Sequence, residues 1–183
     1  MEIPTRRKNI RLPRENYLGL RRYFVTICCT GRNKIFARPS KAEHLLDLLR
    51  TVPANQKFAV LAYCVMPDHL HLLVQAQEAQ SDLLKFVRRS KQQNAYTMKS
   101  ESGIQLWQRY FYDHILRPRD SAEAVAWYVW MNPVRKGLCA VPEEYPFSGS
   151  FTLDWKCTKQ PEASWVPPWK EPSTATSTSP QAK

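Results

Sequence analysis

Apolar residues along the chain change spacing several times, and the changes outline its elements. Tyr23 to Cys29 is aromatic and β-branched, a strand by composition, and Gly31-Arg32-Asn33-Lys34 breaks it. Ser40 followed three residues later by Glu43 has the form of a capping box. Behind it Ala42, Leu45, Leu46 and Leu49 recur at helical spacing, which predicts a helix over about 41–51. Phe58 to Met66 is a continuous apolar run, a buried strand, and Pro67-Asp68 turns it back. In His69-Leu70-His71-Leu72-Leu73-Val74 the two-residue period puts Leu70, Leu72 and Val74 on one face and both histidines on the other. A second helix is predicted over 80–100, with Leu83, Leu84, Val87, Ala95 and Met98 as its apolar stripe. Trp107 to Leu116 is predicted as a fourth strand. Asp120 and Glu123 then cap a third helix, which Pro133 stops just after Asn132.

The resulting order, β-α-β-β-α-β-α, predicts an α+β sandwich of the split βαβ type with an added C-terminal helix. Three regions follow. Residues 1–22 form a basic arm carrying Arg21 and Arg22, residues 23–158 one domain, and residues 159–183 a Pro/Ser/Thr-rich tail expected to be disordered.

Charge narrows the class. Lys and Arg number 27 against 16 Asp and Glu, a formal net charge of +11, which calls for a polyanionic partner. No window holds the roughly 18 apolar residues of a membrane span, and the basic N-terminus has no apolar stretch behind it. Nucleic acid in the cytoplasm, at the nucleoid, is the expected partner and place. The five cysteines are odd in number and form no Cys-x-x-Cys pair, which suits idle thiols in a reducing compartment.

Two places could carry chemistry. His69 and His71, one residue apart on a strand, point the same way and make a workable metal chelate, although such a pair also serves as ordinary polar contacts. On the third helix Tyr128 and Asn132 are four apart and share a face, in a stretch where tyrosine also serves as packing. Tyr96, Tyr110 and Tyr112 compete with Tyr128 as nucleophiles, and His114 beside Asp113 is either a spare ligand or half of an ion pair. Lys85, Arg88, Arg89 and Lys91 form a basic helix face suited to phosphate contact or to solvent.

Together these pieces resemble a family. Tyr63 to Asp68 followed by His69-Leu70-His71 looks like the histidine–hydrophobic–histidine motif of the single-tyrosine HUH transposases. Tyr128-Val129-Trp130-Met131-Asn132-Pro133-Val134-Arg135-Lys136-Gly137 resembles their tyrosine helix, with the Asn-Pro-Val-basic continuation of the REP-associated tyrosine transposases. Trp107 to His114 and Tyr145 to Ser148 carry the likeness further, from about Arg11 to Phe151. Where many of the wider family have Gln four positions after the tyrosine, this chain has Asn132.

The resemblance implies a ferredoxin-like β-α-β-β-α-β sandwich with a central antiparallel sheet and an added C-terminal helix bearing the tyrosine. It implies Tyr128 as nucleophile, and His69 and His71, with Asn132, as holders of a divalent Mg²⁺ or Mn²⁺. It implies cutting and rejoining of single-stranded or hairpin DNA through a 5′-phosphotyrosine, by a monomer or a homodimer. Arg21, Arg22, Lys85, Arg88, Arg89 and Lys91 are the candidate DNA contacts. Two alternatives remain: a non-catalytic single-strand binder with an RNA-recognition-like sheet, and a metal hydrolase using His69, His71 and Asp68.

Overall fold

The structure, a computed structural model, describes residues 12–98, 105–154 and 157–170. Its frame is a five-stranded antiparallel sheet in the order β4-β1-β3-β2-β5. The strands are β1 (Arg22–Cys28), β2 (Phe58–Met66), β3 (His69–Ala76), β4 (Tyr112–Ile115) and β5 (Ser148–Gly149). The order of the first four is that of the ferredoxin-like sandwich.

Side-chain alternation divides the sheet into two faces with different covers. On one, Tyr23, Val25 and Ile27 of β1 and Leu70, Leu72 and Val74 of β3 form a core with α1 (Pro39–Asn55) and α2 (Leu83–Met98). On the other, Phe24, Ala62, Cys64, Met66 and Leu73 pack against Val125, Ala126, Val129 and Trp130 of α3 (Ala122–Trp130). β3 is buried along nearly its whole length because it is central and covered on both sides.

Local chemistry moved several boundaries. The first helix starts at Pro39, not 41, and no side chain caps it: proline's fixed φ suits the first helical turn, so Ser40 lies inside the helix. The second helix begins at Leu83, where Asp82 Oδ1 accepts from Lys85 N at 3.1 Å. The expected long fourth strand shrinks to Tyr112–Ile115, with one isolated bridge from Trp107 to Cys29. Lys91 Nζ donates to the carbonyls of Gln108 and Arg109 and holds that segment against α2 instead. Ser121, not Asp120, caps α3 by accepting from Ala124 N at 3.2 Å. Pro133 does more than end that helix: a four-residue α4 (Asn132–Arg135) continues from it after a break at Met131.

β5 is a two-residue strand that no sequence period can announce. It pairs Gly149 with Tyr63, and a Cβ on Gly149 would lie 2.9 Å from the Tyr63 hydroxyl, so any larger residue must displace the Tyr63 side chain. At the chain ends, residues 1–11 of the basic arm and 171–183 of the tail lie outside the described residues. Within the arm, Arg14–Tyr17 forms a 3₁₀ turn with Tyr17 buried. The tail does not leave the domain at residue 159: Trp165 and Trp169 pack against the α3 side of the sheet. The two indoles supply the apolar area that the proline-rich composition concealed.

Asp82 ties the arm to the second helix, since Arg14 Nη2 lies 3.0 Å from its Oδ2. Asp82→Ala removes the cap and this link together. The expected cost is about 1–2 kcal/mol, read in thermal melts as a fall of roughly 2–8 °C; an unchanged melting temperature would assign the capping of α2 elsewhere.

Candidate active site

The strand register places the histidines. His71 lies opposite Thr26 on β1 and Cys64 on β2, and His69 opposite Cys28 and Met66, so both imidazoles stand mid-sheet on the α3 side. They are 7% and 8% exposed. Their Nε2 atoms face one another at 3.0 Å. Each Nδ1 has its own partner: Asp68 Oδ1 at 2.6 Å from His69 and Thr26 Oγ1 at 2.8 Å from His71.

This arrangement suits a cation. The Asp68 carboxylate only accepts, so His69 carries its proton on Nδ1 and turns an Nε2 lone pair toward His71. Thr26 serves either tautomer of His71. When its hydroxyl donates, His71 Nε2–H bonds to His69; when it accepts, two lone pairs converge on one point. Two nitrogens about 2.1 Å from one ion, at about a right angle, stand about 3 Å apart, which matches the spacing found. Carboxylate and hydroxyl partners on the outer nitrogens are the usual orienting shell of metal-binding imidazoles. Burial pushes the pKa of His69 down, and that of His71 well down, with the neighbouring His69 adding to the shift. Both rings are therefore neutral near pH 7, the state that coordinates. Among the described residues no third His, Cys, Asp or Glu joins them. Asp68 is held by His69 and by Arg32, whose Nε lies 2.9 Å from Oδ2, so it orients a histidine where the hydrolase alternative needed a ligand.

Tyr128 reaches the same place from α3. The Phe24 ring stacks on His71 at 5.5 Å and meets Tyr128 edge-on at 5.8 Å, so one side chain is neighbour to both. The Arg135 guanidinium lies 4.1 Å from the centre of the Tyr128 ring and Lys170 Nζ 5.6 Å. Asn132, buried at the α3–α4 junction, donates through Nδ2 to the carbonyls of Tyr128 at 3.0 Å and Val129 at 3.1 Å. That bonding occupies its nitrogen and leaves its amide oxygen as the atom open to a further contact.

Sequence reasoning missed three residues here. Phe24 and Thr26 follow from alternation once the strand's histidine face is known. Trp169 gives no signal: it stacks on Phe24 at 4.2 Å with rings 3° from parallel, and contacts Tyr128 at 5.1 Å and His114 at 5.3 Å.

The other expected residues divide. Tyr112 faces the site, paired with Thr26 and with its ring 6.2 Å from that of Phe24; Tyr96 and Tyr110 are exposed elsewhere. His114 pairs with Asp120 at 3.6 Å, where Asp113 was expected. Arg22 is exposed at the start of β1 and donates to Gln75 Oε1 at 2.8 Å, and Arg21 to the Leu18 carbonyl at 3.3 Å. Lys85, Arg88, Arg89 and Lys91 lie on α2, in the layer across the sheet from the histidines and tyrosine. Lys91 is engaged with backbone carbonyls.

A ferredoxin-like sheet with a mid-sheet histidine pair and a tyrosine helix across it is the architecture that the transposase resemblance implied. Comparisons with known proteins agree. The family described as Transposase IS200 like matches residues 20–129, a span holding both histidines and Tyr128. A Haemophilus influenzae protein described as a REP-associated tyrosine transposase is 31% identical over 153 residues, 76% of this chain and 85% of its own. The REP-associated tyrosine transposase of Escherichia coli K12 is 25% identical over 112 residues, 57% of this chain and 66% of that protein. A solved structure of a REP-associated tyrosine transposase bound to a REP hairpin superposes with a TM-score of 0.63 at 22% identity, over 77% of this chain and 81% of that one. The chain belongs to the IS200-like transposase family, and among its relatives are the REP-associated tyrosine transposases. Among the described residues no helix is long and apolar enough to cross a membrane.

Two predictions come from this site. His69, His71 and His114 all have pKa values pushed down, chiefly by burial. The unfolded chain therefore takes up protons, below about pH 6.5, that the folded chain refuses. Stability is full above that pH and falls as pH drops through the window beneath it. Melts in metal-free buffer should shift downward from about pH 7.5 to about 5.5, and less steeply in His71→Gln; an equal slope would remove His71 from the cause. Trp169→Ala uncovers Phe24 and is expected to cost about 1–2 kcal/mol in denaturant unfolding.

Proposed function

We propose that this protein cuts and rejoins DNA, as single strands or hairpins, through a covalent bond to Tyr128. The observation that carries the reading is Phe24, whose ring packs against both His71 and Tyr128 and so sets the tyrosine and the histidine pair on one face of the sheet, where a single phosphate would engage both. His69 and His71 would hold a divalent Mg²⁺ or Mn²⁺, with nitrogen donors favouring Mn²⁺, and Asn132 would offer its amide oxygen. When bound, the ion supplies Lewis-acid polarisation of the scissile phosphate.

The chain's own groups account for the remaining chemistry. Tyr128 Oη attacks phosphorus and gives up its proton. The bond from phosphorus to the 3′ oxygen breaks, and that oxygen leaves as a 3′-hydroxyl with a proton gained. The product is a 5′-phosphotyrosine. Return attack by a 3′-hydroxyl reverses the step with no outside energy source, because the phosphodiester is exchanged, not hydrolysed. Arg135 and Lys170 present positive charge against the Tyr128 ring, which would offset the negative charge that builds on a phosphate under attack there. A hairpin as the bound form is supported by the similar protein described with a REP hairpin. Arg21, Arg22, Lys85, Arg88 and Arg89 are proposed phosphate contacts, and the setting is the bacterial cytoplasm at the chromosome.

The test is a denaturing gel of protein incubated with labelled single-stranded flanking DNA and Mn²⁺. Wild type should form an adduct mapped to the peptide holding Trp127-Tyr128-Val129, and Tyr128→Phe should bind DNA and form none. His71→Ala should bind but not cut. An adduct on Tyr112 would move the nucleophile to β4. Binding without an adduct from wild type would favour the non-catalytic single-strand binder.

A further inference from the structure

On the layer across the sheet from Tyr128, α2 and residues 105–111 enclose a groove of about 560 Å³. Its floor is apolar, from Val87, Leu106, Trp107 and Phe111. Its rim carries Arg88, Lys91 and Arg109, together with the amides of Gln92, Gln105 and Gln108, and among the described residues its lining includes no acidic one. A flat apolar ring flanked by anions and edged with hydrogen-bonding atoms fits this chemistry, and that describes a nucleotide. Amide side chains offer a donor and an acceptor together to a base edge, and arginines beside an apolar site neutralise the flanking phosphates.

A further observation points to the same occupant. Three tyrosines on α2 and on the chain that leads from the groove into β4 stand unusually exposed: Tyr96 at 84%, Tyr110 at 58% and Tyr112 at 42%. Tyr96 follows Gln92 by one helical turn, and Tyr110 follows Arg109, whose guanidinium lies 5.4 Å over its ring. Exposed phenol rings among arginines are the stacking platforms of single-strand binders. They also form a path. From the groove the chain runs through Tyr110 to Tyr112, which pairs with Thr26 and touches Phe24 on the catalytic face.

We propose that the groove between α2 and residues 105–111 is a nucleobase-binding site, seating an unpaired base of the strand whose phosphodiester reaches Tyr128. The strand passes from one face of the sheet to the other around the β4 edge, over Tyr110 and Tyr112. This rests on the reading of the protein as a DNA-cutting enzyme, but its test is separate.

The probe is a pool of random 16-nucleotide single strands with 4-thiothymidine in place of thymidine, photocrosslinked to the full chain and mapped by mass spectrometry. Crosslinks should fall in the peptides of α2 and of residues 105–111. Gln92→Trp fills the groove from an exposed position, and should weaken binding of the pool by about tenfold, the scale of one stacked base. It should leave binding of an all-abasic 16-mer, and the melting temperature, unchanged. Crosslinks confined to peptides of the catalytic face, or equal binding of pool and abasic strands by wild type, would overturn the proposal. Groove crosslinks without a Tyr128 adduct would sink the cutting mechanism and leave the groove standing; an adduct without groove crosslinks would do the reverse.

Discussion

The antiparallel pairing of β1, β3 and β2 sets where everything else stands. Because side chains alternate at every residue, one register decides that Thr26, His71 and Cys64 form a row on the same face. A slip of one residue would turn both histidines into the α1–α2 core and carry Leu70 and Leu72 to the α3 side. The apolar layer therefore enforces the polar one: the burial of Leu70, Leu72 and Val74 against two helices holds the imidazoles on the opposite side.

On that side the structure trades packing for access. Half-buried Tyr128 is anchored by carbonyl bonds from Asn132 and Arg135 to the end of its helix. Trp130 behind it is fully buried, its indole donating to the Gly149 carbonyl at 2.8 Å. The helix is thus fixed from behind, and the phenol stays among the rings of Phe24 and Trp169. Rigid placement of a helix beside an oriented histidine pair is the preorganisation that a phosphoryl-transfer site requires.

Much of this was legible in the sequence because it obeys a period. The alternation through His69 to Val74 defined the histidine face, and the spacing from Ala42 to Leu49 defined the first helix. Less was legible where a single hydrogen bond outweighs the pattern. Residues 107–111 are as strand-like as 112–115, yet Lys91 draws Gln108 and Arg109 away to α2. Ser40 and Glu43 have the form of a cap, and Pro39 makes it unnecessary. Trp169 could not be found at all, since its place depends on a stack with a residue far off in sequence, after two prolines that look like a departing tail. Asn132 showed the opposite problem: its spacing from Tyr128 was visible, while its capping bonds to the helix end were not.

The division into two apolar clusters separated by one sheet has an evolutionary consequence. Side chains in the α3 layer and in the α1–α2 layer share few neighbours, so substitutions on opposite sides should combine additively. Selection acting on one surface then leaves the other nearly untouched. A lineage of such proteins is free to remodel its α2 surface while the histidine–tyrosine side stays constant, or the reverse. The sheet works as a partition between two surfaces, and each can be tuned on its own schedule.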